Sequence, residues 1–230
     1  MTTTAREDTG PPGTDDDLGD DTDAPDRAGP GTAFWIVLAV AALVLGGAIG
    51  WRVGKAGDET TQPSRDSVDV GLFQDMTTHH NQALTMGFDY LQDGTDPLLR
   101  QIAREIVTYQ ASEIGVMGDH LTQWGQSGTE TGTAMGWMGM ATPRDEMTGL
   151  ATREQMDELA TARGAELDQL FTRLMIVHHA GGIHMADFAA KEATTTTVRR
   201  WAASMADGQR GEIAELNRWR VQHGFSPVKI

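Results

Sequence analysis

Apolar positions recur every three to four residues in four stretches of this chain, and each stretch predicts an amphipathic helix. Leu72, Met76, His79, Ala83 and Met86 fall at helical spacing within a run from about Val68 to Gln92. The segment "DGTDP" ends that run, with Asp96 as an N-cap and Pro97 at the first position of a second helix. Leu99, Ile102, Ile106, Ile114, Met117 and Leu121 carry an apolar stripe from there to about Trp124. A third helix is expected over about Gly164 to Lys191 and, after a threonine turn, a fourth reaching about Gln222. No alternating β-branched run predicts a strand. The expected fold is all-α, a four-helix bundle made from two helical hairpins.

One apolar stretch has no polar face. "TAFWIVLAVAALVLGGAIGW", Thr32 to Trp51, is twenty residues without a charge. As a helix it would be roughly 30 Å long, the thickness of a bilayer's hydrocarbon core. Trp35 and Trp51 would sit near its interfaces. This predicts a single transmembrane anchor over residues 32–53, not a signal peptide, which would start nearer the N-terminus behind a basic leader. Gly46, Gly50 and Gly54 are spaced like a helix-pairing face, which would make a homo-oligomer. Residues 1–31 hold nine acids against Arg6 and Arg27 and little apolar surface, so a disordered tail is expected there. Residues 54–66 read as a linker and 67–224 as the folded domain. Arg52, Lys55 and Arg65 follow the anchor and only Arg27 closely precedes it, so the positive-charge count favours a cytoplasmic domain by a margin of two.

A shift of 99 positions aligns residues 69–125 with 168–224 without a gap. Asp69 meets Asp168, Met76 meets Met175, His79 and His80 meet His178 and His179, and Met86 meets Met185. Arg100 meets Arg199, Gln110 meets Gln209, Glu113 meets Glu212, and Gly125 meets Gly224. Such agreement points to an internal duplication. Between the copies lies a connector, residues 126–160. Its Gly-rich first half reads as irregular, and Thr152 with Gln155 reads as a capping box opening a short helix. Met135, Met138, Met140 and Met147 sit in polar, Gly-rich surroundings and are expected to be exposed.

Composition narrows the chemistry. The net charge of −15 disfavours a nucleic-acid partner. With no cysteine, disulfides, thiolate metal sites and thiol nucleophiles are excluded. No phosphate loop, dinucleotide fingerprint or catalytic constellation is present, so turnover is not expected. Each helix turn of about 100° per residue places Met76, His79, His80, Ala83 and Met86 within one arc, and likewise Met175, His178, His179, Gly182 and Met185. Imidazole with thioether is a soft, neutral donor set that suits Cu(I). Zinc, di-iron and calcium sites would need ligand patterns the chain lacks. Against this stands a plainer reading, in which the histidines pack and the methionines fill the core. Glu113 and Glu212 lie on the second helix of each pair, where a carboxylate could accept a ring N–H and fix its tautomer. His120 has Trp219 as its counterpart and His184 falls off the arc, so neither joins the duplicated set. Coordination needs neutral imidazoles, so affinity is expected to weaken below roughly pH 6.5.

"FQDMTTHHNQALTM", "LLRQIAREIVTYQASEIGVM" and "LFTRLMIVHHAGGIHMADFA" together resemble the family named domain of unknown function 305, over about residues 67–223. The resemblance implies a ferritin-like four-helix bundle, secreted or anchored outside bacterial cells, with copper binding and copper tolerance among its members. It implies as ligands Met76, His79, His80 and Met86, then Met175, His178, His179 and Met185, and after them the connector methionines. His184 departs from the acidic residue more common there. It also implies an extracytoplasmic domain, which we favour over the two-charge bias. The resulting expectation is a membrane-anchored protein that sequesters or relays copper. The alternatives are a metal-dependent oxidoreductase resembling a cuprous oxidase, and a helical interaction module without metal.

Overall fold

The computed structural model describes residues 62–126 and 132–230, all within the C-terminal unit Glu59–Ile230. The acidic tail, the apolar stretch 32–53 with its glycines, most of the linker and connector residues 127–131 lie outside the described residues. Among the described residues no helix is long and apolar enough to cross a membrane.

Four long helices dominate: α1 (Val68–Asp93), α2 (Pro97–Gln123), α4 (Gly164–Glu192) and α5 (Thr196–Gln222). A short α3 (Arg153–Thr161) lies between the pairs. Their starts follow local chemistry. The side chains of Ser67, Asp96 and Thr195 accept from the N–H groups of Val70, Leu99 and Val198 at 3.2, 2.9 and 3.2 Å, each such cap being worth about 1 kcal/mol. The Thr152–Gln155 capping box opens α3. Gly125 and Gly224 follow α2 and α5 with φ of 67° and 81°, a left-handed turn that glycine adopts without a Cβ penalty.

The helices pack as two hairpins, α1 with α2 and α4 with α5, joined chiefly through α1 against α4. Each hairpin turn is held by its duplicated arginine. Arg100 donates to the carbonyls of Leu91 and Gly94 at 2.7 and 2.8 Å. Arg199 donates to those of Ala193 and Thr194 at 2.7 and 2.8 Å. The α1–α4 contact is antiparallel and tied at both ends. Asp69 at the start of α1 accepts from the backbone of Thr194 and Thr195, both at 2.8 Å, beyond the end of α4. Tyr90 near the end of α1 donates to Asp168 at the start of α4, at 2.6 Å. Burial first, and then the Asp168 carboxylate, push the Tyr90 hydroxyl well up, so it stays protonated and donates.

The apolar interior forms two clusters. One gathers Met86, Tyr90, Phe171 and Met175, and the other Phe73, Met76, Met117, Met185 and Met205. Along α1 and α4 the histidine pairs fall between the methionines of one cluster and those of the other.

The connector departs from expectation. It contains a two-residue antiparallel pair, β1 (Thr133–Ala134) with β2 (Thr142–Pro143), which no pattern predicted because strands this short carry no periodicity. Its methionines are not exposed as a group: Met135, Met138 and Met147 are 1%, 9% and 1% exposed, and only Met140, at 49%, faces solvent. The cause is a buried carboxylate on α1. Asp75 accepts from the N–H of Met135 and the indole of Trp137, both at 2.7 Å, and from the Arg144 guanidinium at 2.8 Å. Two turns on, on the same face, Gln82 accepts from the Ala151 N–H at 2.7 Å and donates to its carbonyl at 2.9 Å. Between these anchors the strap presses its methionines into the core. Trp137 lies so close to Gly71 that a Cβ there would come within 2.3 Å of the indole.

Asp75→Ala is expected to release the strap and lower unfolding free energy by about 3 kcal/mol, from three lost bonds to a charged group, Arg144 keeping only its bonds to Thr78 and Thr133. Denaturant titration followed by tryptophan fluorescence checks it.

Candidate metal centre

At the α1–α4 crossing, His79 and His178 stand face to face, with ring centroids 3.7 Å apart and planes tilted by 33°. His178 Nε2 lies 3.0 Å from the His79 carbonyl oxygen. A carbonyl can only accept, so Nε2 carries the proton and Nδ1 keeps its lone pair. The adjacent rings reach outward to the second helix of each hairpin. His80 Nε2 lies 2.8 Å from Glu113 Oε2 on α2. His179 Nε2 lies 2.5 Å from Glu212 Oε2 on α5, an ion-pair approach whose angles fall outside hydrogen-bond alignment. Carboxylate partners likewise place the proton on Nε2. Nδ1 of His80, His178 and His179 is therefore left with a bare lone pair, and all three atoms are buried without a partner. Both nitrogens of His79, one of them carrying the proton of the neutral ring, and Nε2 of His179 are also buried without a hydrogen-bond partner.

All four imidazoles are at most 1% exposed. His79 is held well below the usual imidazole pKa by burial, then by His80 and His179, with the Thr148 backbone pulling weakly the other way. His178 is lowered by burial, then by His79, His179 and His80, against its bond to the His79 carbonyl. Both rings are neutral, the form that coordinates metal. Burial also moves proton competition at these two rings below the pH 6.5 expected for exposed histidines.

Met76, Met86, Met175 and Met185 are all 0% exposed. Met86 and Met175 border the histidines from one core cluster, and Met76 and Met185 from the other. Met135, Met138 and Met147 join the Met76–Met185 cluster; Met140 does not. Among the described residues, no three His, Asp or Glu side chains form a group able to hold a metal ion. An ion here would have to combine one or two imidazoles with thioethers. Such a low-coordinate, soft set fits Cu(I) or Ag(I) and not a hard cation. The buried, unpartnered ring nitrogens fit the same requirement, since a polar atom buried without a partner costs stability.

Some residues that shape the site carried little signal in the sequence. Met117 and Met205 lie in the same cluster as Met76, at positions that read as ordinary core. Asp75 is 3% exposed; its counterpart in the second copy is Leu174, so a charge at a position otherwise filled by leucine was the available clue. His120 packs against Phe73 and Trp124, with centroids 5.7 and 5.5 Å away, and takes no part. His184 is exposed.

Residues 69–220 match the family described as Domain of unknown function (DUF305). A DUF305 protein from Streptomyces coelicolor, described as a candidate secreted protein, is 30% identical with a TM-score of 0.68, over 73% of this chain and 100% of its own. A DUF305 fragment from Deinococcus radiodurans is 28% identical with a TM-score of 0.57, over 65% of this chain and 92% of its own. CopM, solved in a Cu(I)-bound form, is 26% identical with a TM-score of 0.53, over 68% of this chain and 97% of its own. CopM has also been solved in Cu(II)-bound and Ag-bound forms. No curated protein matches the chain.

The depressed histidines link stability to pH. Unfolded imidazoles titrate near 6.5 and the folded His79 and His178 well below it, so in that interval the unfolded chain binds more protons. Stability is full above pH 6.5 and is lost as pH falls toward the folded values. Tm measured against pH on metal-free protein is expected to drop through this window, and less steeply in a His79→Gln, His178→Gln variant.

Proposed function

The chain belongs to the DUF305 family, and from that membership we propose that it is a copper-binding protein that sequesters or relays Cu(I) outside the cell membrane. Copper is its cargo. The carrying observation is the set of buried Nδ1 lone pairs on His80, His178 and His179, with both nitrogens of His79 unpartnered between them. Protein groups orient these rings and then leave their inner nitrogens free. The ligands are drawn from His79, His80, His178 and His179 with Met76, Met86, Met175 and Met185; Met135, Met138 and Met147 form a thioether reserve behind Met76 and Met185. Glu113 and Glu212 are positioning residues that hold the His80 and His179 tautomers. The copper-bound forms of CopM and the secreted description of the Streptomyces coelicolor protein support the cargo and the compartment. We read the bundle as ferritin-like, and the stretch 32–53, uncharged as far as Trp51, as a single-pass anchor that keeps the domain on the outer side.

The test is a Cu(I) competition titration on the full chain. His79→Ala with His178→Ala is expected to weaken Cu(I) binding at least tenfold, about 1.4 kcal/mol, with helicity retained by circular dichroism. Binding as tight as the parent's would refute the ligand assignment. Protease added to intact cells is expected to cleave the C-terminal domain and spare the N-terminal tail.

A further inference from the structure

The four imidazoles are sealed from solvent, so an ion needs a way in. Where the connector crosses α4 there is none: a Cβ on Gly181 would come within 2.2 Å of the Thr148 carbonyl oxygen. The other flank is open. A cleft of about 250 Å³ runs between α2 and α5, lined by Tyr109, Gln110 and Glu113 on one side and Gly208, Gln209 and Glu212 on the other. These are three repeat-related pairs.

The two carboxylates join the outside to the centre. Glu113 and Glu212 have side chains 20% and 22% exposed, yet each commits one oxygen to a fully buried imidazole. Gln110 and Gln209 are 3% and 5% exposed, and the Oε1 atom of each is buried without a partner. The Gln209 amide reaches the helix of the second histidine pair: a Cβ on Gly182 would lie 2.3 Å from its Oε1. The duplication breaks at the mouth. Tyr109 is 64% exposed, while its counterpart Gly208 has no atom within 4 Å of where a Cβ would stand. Glycine leaves one jamb of the opening bare.

We propose that the α2–α5 cleft is the port by which a metal cation reaches the imidazoles, with Glu113 and Glu212 as its first ligands and the amide oxygens of Gln110 and Gln209 as its next. This rests on the copper-binding reading. Oxygen donors hold a soft ion loosely, whereas imidazole and thioether hold it tightly, so affinity rises inward. The net charge of −15 draws cations toward the surface.

The port is tested with the full chain, timing Cu(I) transfer from its bicinchoninate complex by loss of the complex's visible absorbance. Gly208→Trp places an indole in the mouth and is expected to slow loading at least tenfold, with the final copper content per chain unchanged. Gly115→Trp, at an equally open and exposed position on α2 outside the cleft, is expected to load at the parent rate. Glu113→Gln with Glu212→Gln keeps an oxygen acceptor for each ring and removes the charge; loading should slow. Parent-rate loading by Gly208→Trp, or equal slowing by both tryptophan variants, overturns the port and leaves the copper reading standing. A parent chain that takes up no copper overturns both.

Discussion

The interior of this bundle is organised by one constraint, the burial of four imidazoles where two antiparallel helices cross. A ring nitrogen without a partner in a dry interior is unfavourable, and six such nitrogens lie on one turn each of α1 and α4. The surrounding groups direct protons to the outer nitrogens. The His79 carbonyl does so for His178, and Glu113 and Glu212 do so for His80 and His179. The carboxylates come from α2 and α5, which contact each other little. That looseness leaves the cleft, and the cleft lets the carboxylates keep some water while holding a buried ring.

The duplication explains most of this geometry, and the single connector explains its exceptions. A repeat related by 99 positions puts each histidine pair against its copy and each glutamate over the ring of its own hairpin. Only one connector exists, so the surface beneath it cannot be duplicated. Where the strap lies, the copies diverge. Gly71 makes room for Trp137 and answers to Leu170; Asp75 anchors the strap and answers to Leu174. Gln82 grips Ala151 and answers to Gly181, which gives the strap its crossing point. The first two divergences set a contact that one half alone requires against a core leucine, and at the third both halves meet the strap.

The long helices were legible because their signals are local and periodic. Asp96 with Pro97, and Thr152 with Gln155, announce helix starts at the residues where α2 and α3 begin. The histidine and methionine arcs were legible because the duplication displays them twice. The connector was not. Its methionines stand among glycines and threonines, and nothing local says that a carboxylate sixty residues earlier will accept from the Met135 N–H. Burial there is decided by a long-range bond, which leaves no period in the sequence. The protonation pattern of the rings was equally out of reach, since it depends on which side of each imidazole meets an acceptor.

The antiparallel α1–α4 contact has a consequence for ancestry. At its centre His79 of one copy meets its own counterpart, His178 of the other, as in an isologous pair. A single hairpin could assemble the same four-imidazole nest by associating with itself. Fusing two such genes would make that association permanent and independent of concentration, and would free each half to drift alone, one toward a tyrosine doorpost and the other toward a bare threshold.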